Sequence, residues 1–287
     1  MRVTTWAAMG YRLANVADRA VLVDEAGDWY DLAAVTGDDA FSDPLVALGD
    51  PAALHAAAGG LGAATAGGAA VPEVLGPPVP RPRQVFAVGL NYRSHAGESG
   101  MDAPPTPLIF TKFAGCLVGP TGDIELRADT VDYEVELVVV IGPGGRDIPA
   151  TDAWGHVAGL TVGQDISDRA LQFASAPPHF DLGKSRDGYG PIGPVVVSTD
   201  LVPDPADLAL SCSVNGEVRQ DDRTSGLIYD VPTLIEYLSG ILTLFPGDLI
   251  FTGTPSGVGM ADGRFLAPGD VLDTHIEGIG ALQNRCV

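Results

Sequence analysis

The run Asp132-Tyr133-Glu134-Val135-Glu136-Leu137-Val138-Val139-Val140-Ile141 carries two carboxylates two residues apart at the start of an apolar strand pattern. Residues two apart on a strand face the same side, so Glu134 and Glu136 project together beside Val138 and Val140. Neighbouring carboxylates repel each other and are costly to take out of water. Either this strand lies at a sheet edge with its acidic face wet, or a divalent cation removes both penalties. Hard oxygen ligands suit Mg²⁺ or Mn²⁺, and Ca²⁺ as well. A third acid, Asp165, ends the run VAGLTVGQ just before ISDRALQFA. It serves there as a helix N-cap or as a further ligand. Asp168 and Arg169 read as first-turn charges of that helix.

Asn91-Tyr92-Arg93-Ser94-His95-Ala96-Gly97-Glu98 follows the strand-like QVFAVGL. If it turns helically, His95 and Glu98 share one face at i, i+3. A carboxylate beside an imidazole orients the ring and stabilises its protonated form, as a general base requires. The alternative is a solvated histidine on a loop. Gly97, Gly100, Pro104 and Pro105 give the segment the look of a lid. Lys184, in a Gly- and Pro-rich connection, is one of two lysines, with Lys112. It is either an exposed surface residue or a charge that neutralises a substrate carboxylate or enolate. The loop Thr252-Gly253-Thr254-Pro255-Ser256-Gly257 ends a strand and offers backbone N–H groups to an anion. It is not a phosphate-binding P-loop, because no Gly-Lys-Ser/Thr follows in frame. His55, His156, His179 and His275 form no ligand spacing, and Cys116, Cys212 and Cys286 suggest neither a disulfide framework nor a zinc site.

These groups need a scaffold. The 287 residues are 46 % hydrophobic and 18 % charged, enough for a sizeable core. Many short strands separated by Gly, Pro and Asp indicate an α+β, β-dominated fold. One long helical pattern stands out, VPTLIEYLSGILT, with Leu234, Ile235, Leu238, Ile241 and Leu242 at helical spacing. Residues 1–75 read as a small N-terminal α/β extension: strands in RAVLVD and WYDLAAV, then a helix beginning at Pro51. The Pro-dense residues 76–84 read as an extended linker, and residues 85–287 as a second, catalytic domain. The start MRVTTWAAMGYRLAN has no continuous apolar stretch, so no signal peptide is expected. No run reaches the length of a membrane span, and a cytoplasmic protein is expected. A net charge of −21 repels phosphate backbones and anionic membranes, so neither nucleic acid nor membrane is an expected partner.

The order of the motifs is more specific than any one of them. From Val85 onward the chain resembles the fumarylacetoacetate hydrolase family, through NYRSHAGE, DYEVEL, TVGQDISDRALQ, GKSRDGYGPIGP, VNGEVRQDDRTSGLIYDVPTLIEYLSGILTLFPGDLI and FTGTPSGVG. The resemblance implies a mixed β-sandwich roll, usually a homodimer, to which the apolar stretch LIEYLSGILTLF would contribute if it is not core. It implies that Glu134, Glu136 and Asp165 hold Mg²⁺ or Mn²⁺, that His95 and Glu98 are the catalytic dyad on a lid, and that Lys184 meets the 2-oxo group. Gln172 and Thr254 match positions that help to hold the substrate. The chain departs from many relatives at Arg186 and Gly188. Arg186, with a lid poor in large apolar side chains, points to a short or polar distal group, provided Arg186 or Arg93 turns inward.

The chemistry implied is that of a small 2-oxo acid. His95, oriented by Glu98, deprotonates a water, and the hydroxide attacks C4 of an acylpyruvate. The C3–C4 bond breaks to leave pyruvate enolate on the metal, with Lys184 adding positive charge. Decarboxylation of oxaloacetate, or isomerisation or hydration of an unsaturated 2-oxo diacid in aromatic catabolism, would use the same enolate. A metal-binding subunit without turnover is disfavoured by the intact set of site residues.

Overall fold

An apolar strand interrupted only by Glu136 must be covered on both faces. In the computed structural model, which describes residues 10–287, Val135–Ile141 is a fully buried strand. It lies between the antiparallel neighbours Val157–Gln164 and Leu249–Phe251. Val135, Leu137, Val139 and Ile141 enter one core, whereas Val138 and Val140 enter another on the opposite face. That alternation is the period of two read from the sequence.

These strands belong to an 11-stranded sheet running from Gly68–Ala69 at one end to Leu108–Thr111 at the other. Most pairs are antiparallel, but Leu249–Phe251 runs parallel to Val85–Gly89, so the sheet is mixed. A second sheet of four antiparallel strands, 209–214, 217–223, 271–276 and 280–285, covers the first core. Helices are few and short, and the fold is β-dominated as expected. The long helix is Val231–Ile241, capped by Asp230, which accepts from Thr233 N. Its Leu234, Ile235 and Leu238 are buried in the core, so LIEYLSGILTLF is chiefly core, and of its large apolar side chains only Ile241 is exposed. No helix among the described residues is long and apolar enough to cross a membrane.

Residues 12–31 form three strands that continue the same sheet, with Leu13 opposite Val196. WYDLAAV is not one strand. It changes at Asp31, whose side chain accepts from Ala34 N and caps the helix Leu32–Thr36. Pro51–Ala58 is a helix with its proline in the first turn, as expected. Residues 76–84 have no regular structure but are packed down, with Val79 in the second core. The expectation of no signal peptide falls largely on residues 1–9, which lie outside the described residues.

Candidate active site

Glu136 sits opposite Gly163 across the strand pair. A Cβ at 163 would come within 2.4 Å of a Val138 methyl and 2.8 Å of the Phe251 ring, so only glycine lets the strands close there. Just beyond, Asp165 N donates to Glu134 O at 2.9 Å, which brings the third acid beside the first. Asp165 is therefore not the helix cap. Asp168 takes that role, accepting from Leu171 N at 3.0 Å ahead of a helix confined to Arg169–Gln172. All three acids are buried, so the wet edge strand does not apply, and their ligand atoms lie within 4.8 Å of one another.

Both lysines converge on this cluster. Lys184 Nζ donates to Glu134 Oε2 at 2.6 Å and to Asp165 Oδ2 at 2.7 Å. Lys112 Nζ donates to Asp165 Oδ1 at 2.6 Å, to Tyr189 O at 3.0 Å, and to Lys184 O. Arg169 is no surface first-turn charge either. It is buried, and its guanidinium reaches Glu134 Oε1 at 2.6 Å and Asp132 Oδ2 at 2.7 Å. Asp132 in turn accepts from Gly259 N at 2.6 Å and Met260 N at 3.0 Å, tying the loop after Thr254 to the acid cluster. Lys112, Asp132 and Arg169 were not singled out as site residues from the sequence. The rarity of lysine was the one signal for Lys112, and no spacing betrays the other two.

The charge balance tests the site for a cation. Glu134, Glu136, Asp165 and Asp132 face Lys112, Lys184 and Arg169, four acids against three bases. Burial opposes ionisation of Glu134, but the Lys184 ammonium and the Arg169 guanidinium outweigh it and hold the carboxyl below its usual range. Glu136 goes the other way. Burial, then the Asp165 and Glu134 carboxylates, push it well above the ordinary carboxylate value. Its one hydrogen bond among the described residues comes from Gly253 N at 2.7 Å. Three hard oxygen donors, one of them without a counter-charge, fit a divalent cation.

Glu134, Lys184 and Arg169 bring the cluster to the floor of a cavity of about 570 Å³, which Gln172 and Thr254 also line; Glu136, Asp165 and Lys112 are buried beneath it. The helix Arg93–Ser99 carries His95 and Glu98 onto its rim, paired Nδ1 to Oε2 at 3.3 Å. Glu98 Oε1 also accepts from Gly257 N at 2.9 Å, and Ser94 Oγ donates to Asp222 at 2.7 Å, so the lid is tied down on two sides. Gln172 Oε1 accepts from Arg169 at 2.9 Å, and Thr254 Oγ1 accepts from Gln220 at 2.8 Å.

Arg186 is not brought to the cavity: its guanidinium pairs with buried Asp168 at 2.8 Å, a partner only the tertiary fold supplies. Arg93 lines a separate groove and donates to Ser225 O at 3.3 Å. The short or polar distal group inferred from the lid's composition is not supported, because Leu108, Phe110, Phe173 and Phe180, from outside the lid, line the cavity.

A family model described as fumarylacetoacetate (FAA) hydrolase C-terminal matches residues 84–287. The chain belongs to this family. Among its relatives, oxaloacetate tautomerase FAHD2A, mitochondrial, from Bos taurus is 44 % identical over 214 residues, spanning 73 % of this chain and 68 % of the relative. Fumarylacetoacetate hydrolase from psychrophilic Exiguobacterium antarcticum superposes with a TM-score of 0.81 at 35 % identity, covering 97 % of this chain and 99 % of that one. Maleylpyruvate hydrolase from Sphingobium sp. SYK-6, in complex with manganese (II) ion and pyruvate, superposes with a TM-score of 0.79 at 28 % identity, covering 96 % and 98 %. Within the fumarylacetoacetate hydrolase family, then, this chain is similar to proteins named as tautomerase and hydrolase alike.

Proposed function

We propose that this protein catalyses keto–enol interconversion of a small 2-oxo acid. One observation carries the reading: three buried carboxylates and two buried lysines underlie a cavity whose rim bears a His–Glu pair. Glu134, Glu136 and Asp165 would hold a Mg²⁺ or Mn²⁺ ion, which supplies Lewis-acid stabilisation of the charge developing on the oxo oxygen. The manganese in the maleylpyruvate hydrolase complex and the bovine relative's name support the same class. Lys184 and Arg169 add fixed positive charge where the enolate forms, and Gln172 and Thr254 orient the acid head. With Nδ1 engaged by Glu98, His95 has Nε2 for proton transfer. It takes a proton from C3, the C–H electron pair becomes the second C2–C3 bond, the π pair of the C2–O bond moves onto the oxo oxygen, and that oxygen takes up the proton.

A second reading is hydrolysis of the C3–C4 bond of an acylpyruvate, favoured by a cavity that continues past the charged floor. His95 would then deprotonate a water and the hydroxide would add to C4. The C3–C4 bond breaks with its electron pair on C3, which takes up a proton to give pyruvate and a free acid. Decarboxylation of oxaloacetate needs no such water.

Oxaloacetate supplied as its enol, with Mg²⁺ or Mn²⁺, is the test. The enol absorbance should decay faster with the protein than with the ion alone, without pyruvate appearing. Pyruvate plus acetate from acetylpyruvate selects hydrolysis. No acceleration with either compound, nor with an apolar-tailed acylpyruvate such as hexanoylpyruvate, overturns both readings. The homodimer stands as a companion proposal resting on family likeness, and light scattering giving a mass near the 29.6 kDa chain would refute it.

A further inference from the structure

The cavity changes character along its length. Among the described residues, Lys184 and Arg169 are its only Lys or Arg lining residues, and both are already engaged by Glu134, Asp165 or Asp132. Phe110 marks the boundary, its ring centroid 5.4 Å from Lys184 Nζ. Outward from there the wall is Leu108, Phe110, Phe173 and Phe180, with Met101 and Met260. Phe110 and Phe180 pack on each other at 5.5 Å between centroids. Leu108 and Phe173 are 45 % and 46 % exposed, so apolar surface waits for cover. A second carboxylate in this half would lose water without gaining a cation, inside a chain of net charge −21.

We propose that the site takes 2-oxo acids whose far end is apolar, such as alkanoyl or aryl pyruvates, in preference to diacids, and that Phe110 and Phe180 set this choice. The proposal rests on the enolate reading for the head group, while the tail preference has its own test. Calorimetry with the Mg²⁺-loaded protein compares pyruvate, 2-oxohexanoate and 2-oxooctanoate with 2-oxoglutarate. Affinity should rise by up to about fourfold per methylene buried, and the diacid should bind no better than pyruvate. Phe110→Ala and Phe180→Ala should each flatten the series. In turnover, hexanoylpyruvate and benzoylpyruvate should exceed acetylpyruvate and fumarylpyruvate in kcat/KM. A flat affinity series in the wild type, or tightest binding of the diacid, overturns the proposal even if turnover is brisk. A steep series with no turnover of any compound instead overturns the enolate reading and leaves the tail preference standing.

Discussion

The floor of the cavity is buried charge gathered at the ends of the central strands and short helices, whereas its outer wall is apolar side chain on an edge strand and around those helices. On the floor, Glu134 has both carboxylate oxygens bonded to cations, and Asp165 likewise. In the wall, Phe173 is 46 % exposed and Leu108 lies on the terminal strand of the sheet. The floor is over-determined by contacts, as a group that must meet developing charge in one geometry should be. The wall is held by a few contacts and open to solvent, so it can differ among relatives without disturbing the chemistry below. On the proposed reading, the difference separates reaction from specificity: the floor would set what is done, and the wall to what.

The largest expected effect attacks the floor. Glu136→Gln should abolish binding of Mn²⁺ and lower turnover by on the order of 10³-fold or more, the worth of several kcal/mol of charge stabilisation. The variant should melt no lower than the wild type in chelator, because it removes a carboxyl that burial and like charges disfavour in the folded chain. A wild type fully active after exhaustive chelation would remove the metal from the account. Next comes the rim. His95→Ala should lower kcat by roughly 10²–10⁴ with Mn²⁺ affinity unchanged, and a fall in affinity would mean that His95 is a ligand. The wall should respond in kind rather than in rate. Phe180→Arg should shift preference toward diacids on the order of tenfold, about 1.4 kcal/mol, as read from the ratio of kcat/KM for fumarylpyruvate and hexanoylpyruvate.

A separate effect lies in stability. Raised in the folded state, the Glu136 pKa gives stability that is present below its unfolded value and lost as pH rises through the folded one. Bound cation needs the carboxylate and cancels that loss, so thermal stabilisation by Mg²⁺ should grow with pH. At a hundredfold excess over Kd it should reach about 2.7 kcal/mol, measured as a Tm shift. A shift that shrinks with pH would contradict the assignment. Smallest of all is the response of the thiols. Cys116, Cys212 and Cys286 are buried, and burial pushes the Cys212 and Cys286 thiols up to about 12. A thiol reagent should label none in the native protein and all three after unfolding.

Much of the floor was legible in the chain. The spacing of Glu134 and Glu136 states that they share a face, because strand periodicity is a local property. His95 and Glu98 three apart state the same for a helical turn. The helix Val231–Ile241 follows from its apolar spacing and its Asp230 cap. The wall was misjudged from the lid's composition because its phenylalanines come from elsewhere: Phe110 from an edge strand, Phe173 and Phe180 from around two short helices.

By itself, then, the sequence determined which side chains share a face along a strand or helix, the long helix and most strands of the catalytic region, and through the order of its motifs the family. Tertiary structure alone decided which charges meet. Lys112 lies 53 positions from Asp165, Arg169 lies 37 from Asp132, and Arg186 is drawn to Asp168 instead of the cavity. Backbone geometry sets the direction of a side chain within a turn or two of its own element, and that can be read along the chain. A buried ion pair forms only where distant strands bring opposite charges together out of water, and its partners are chosen by the packing of the whole sheet.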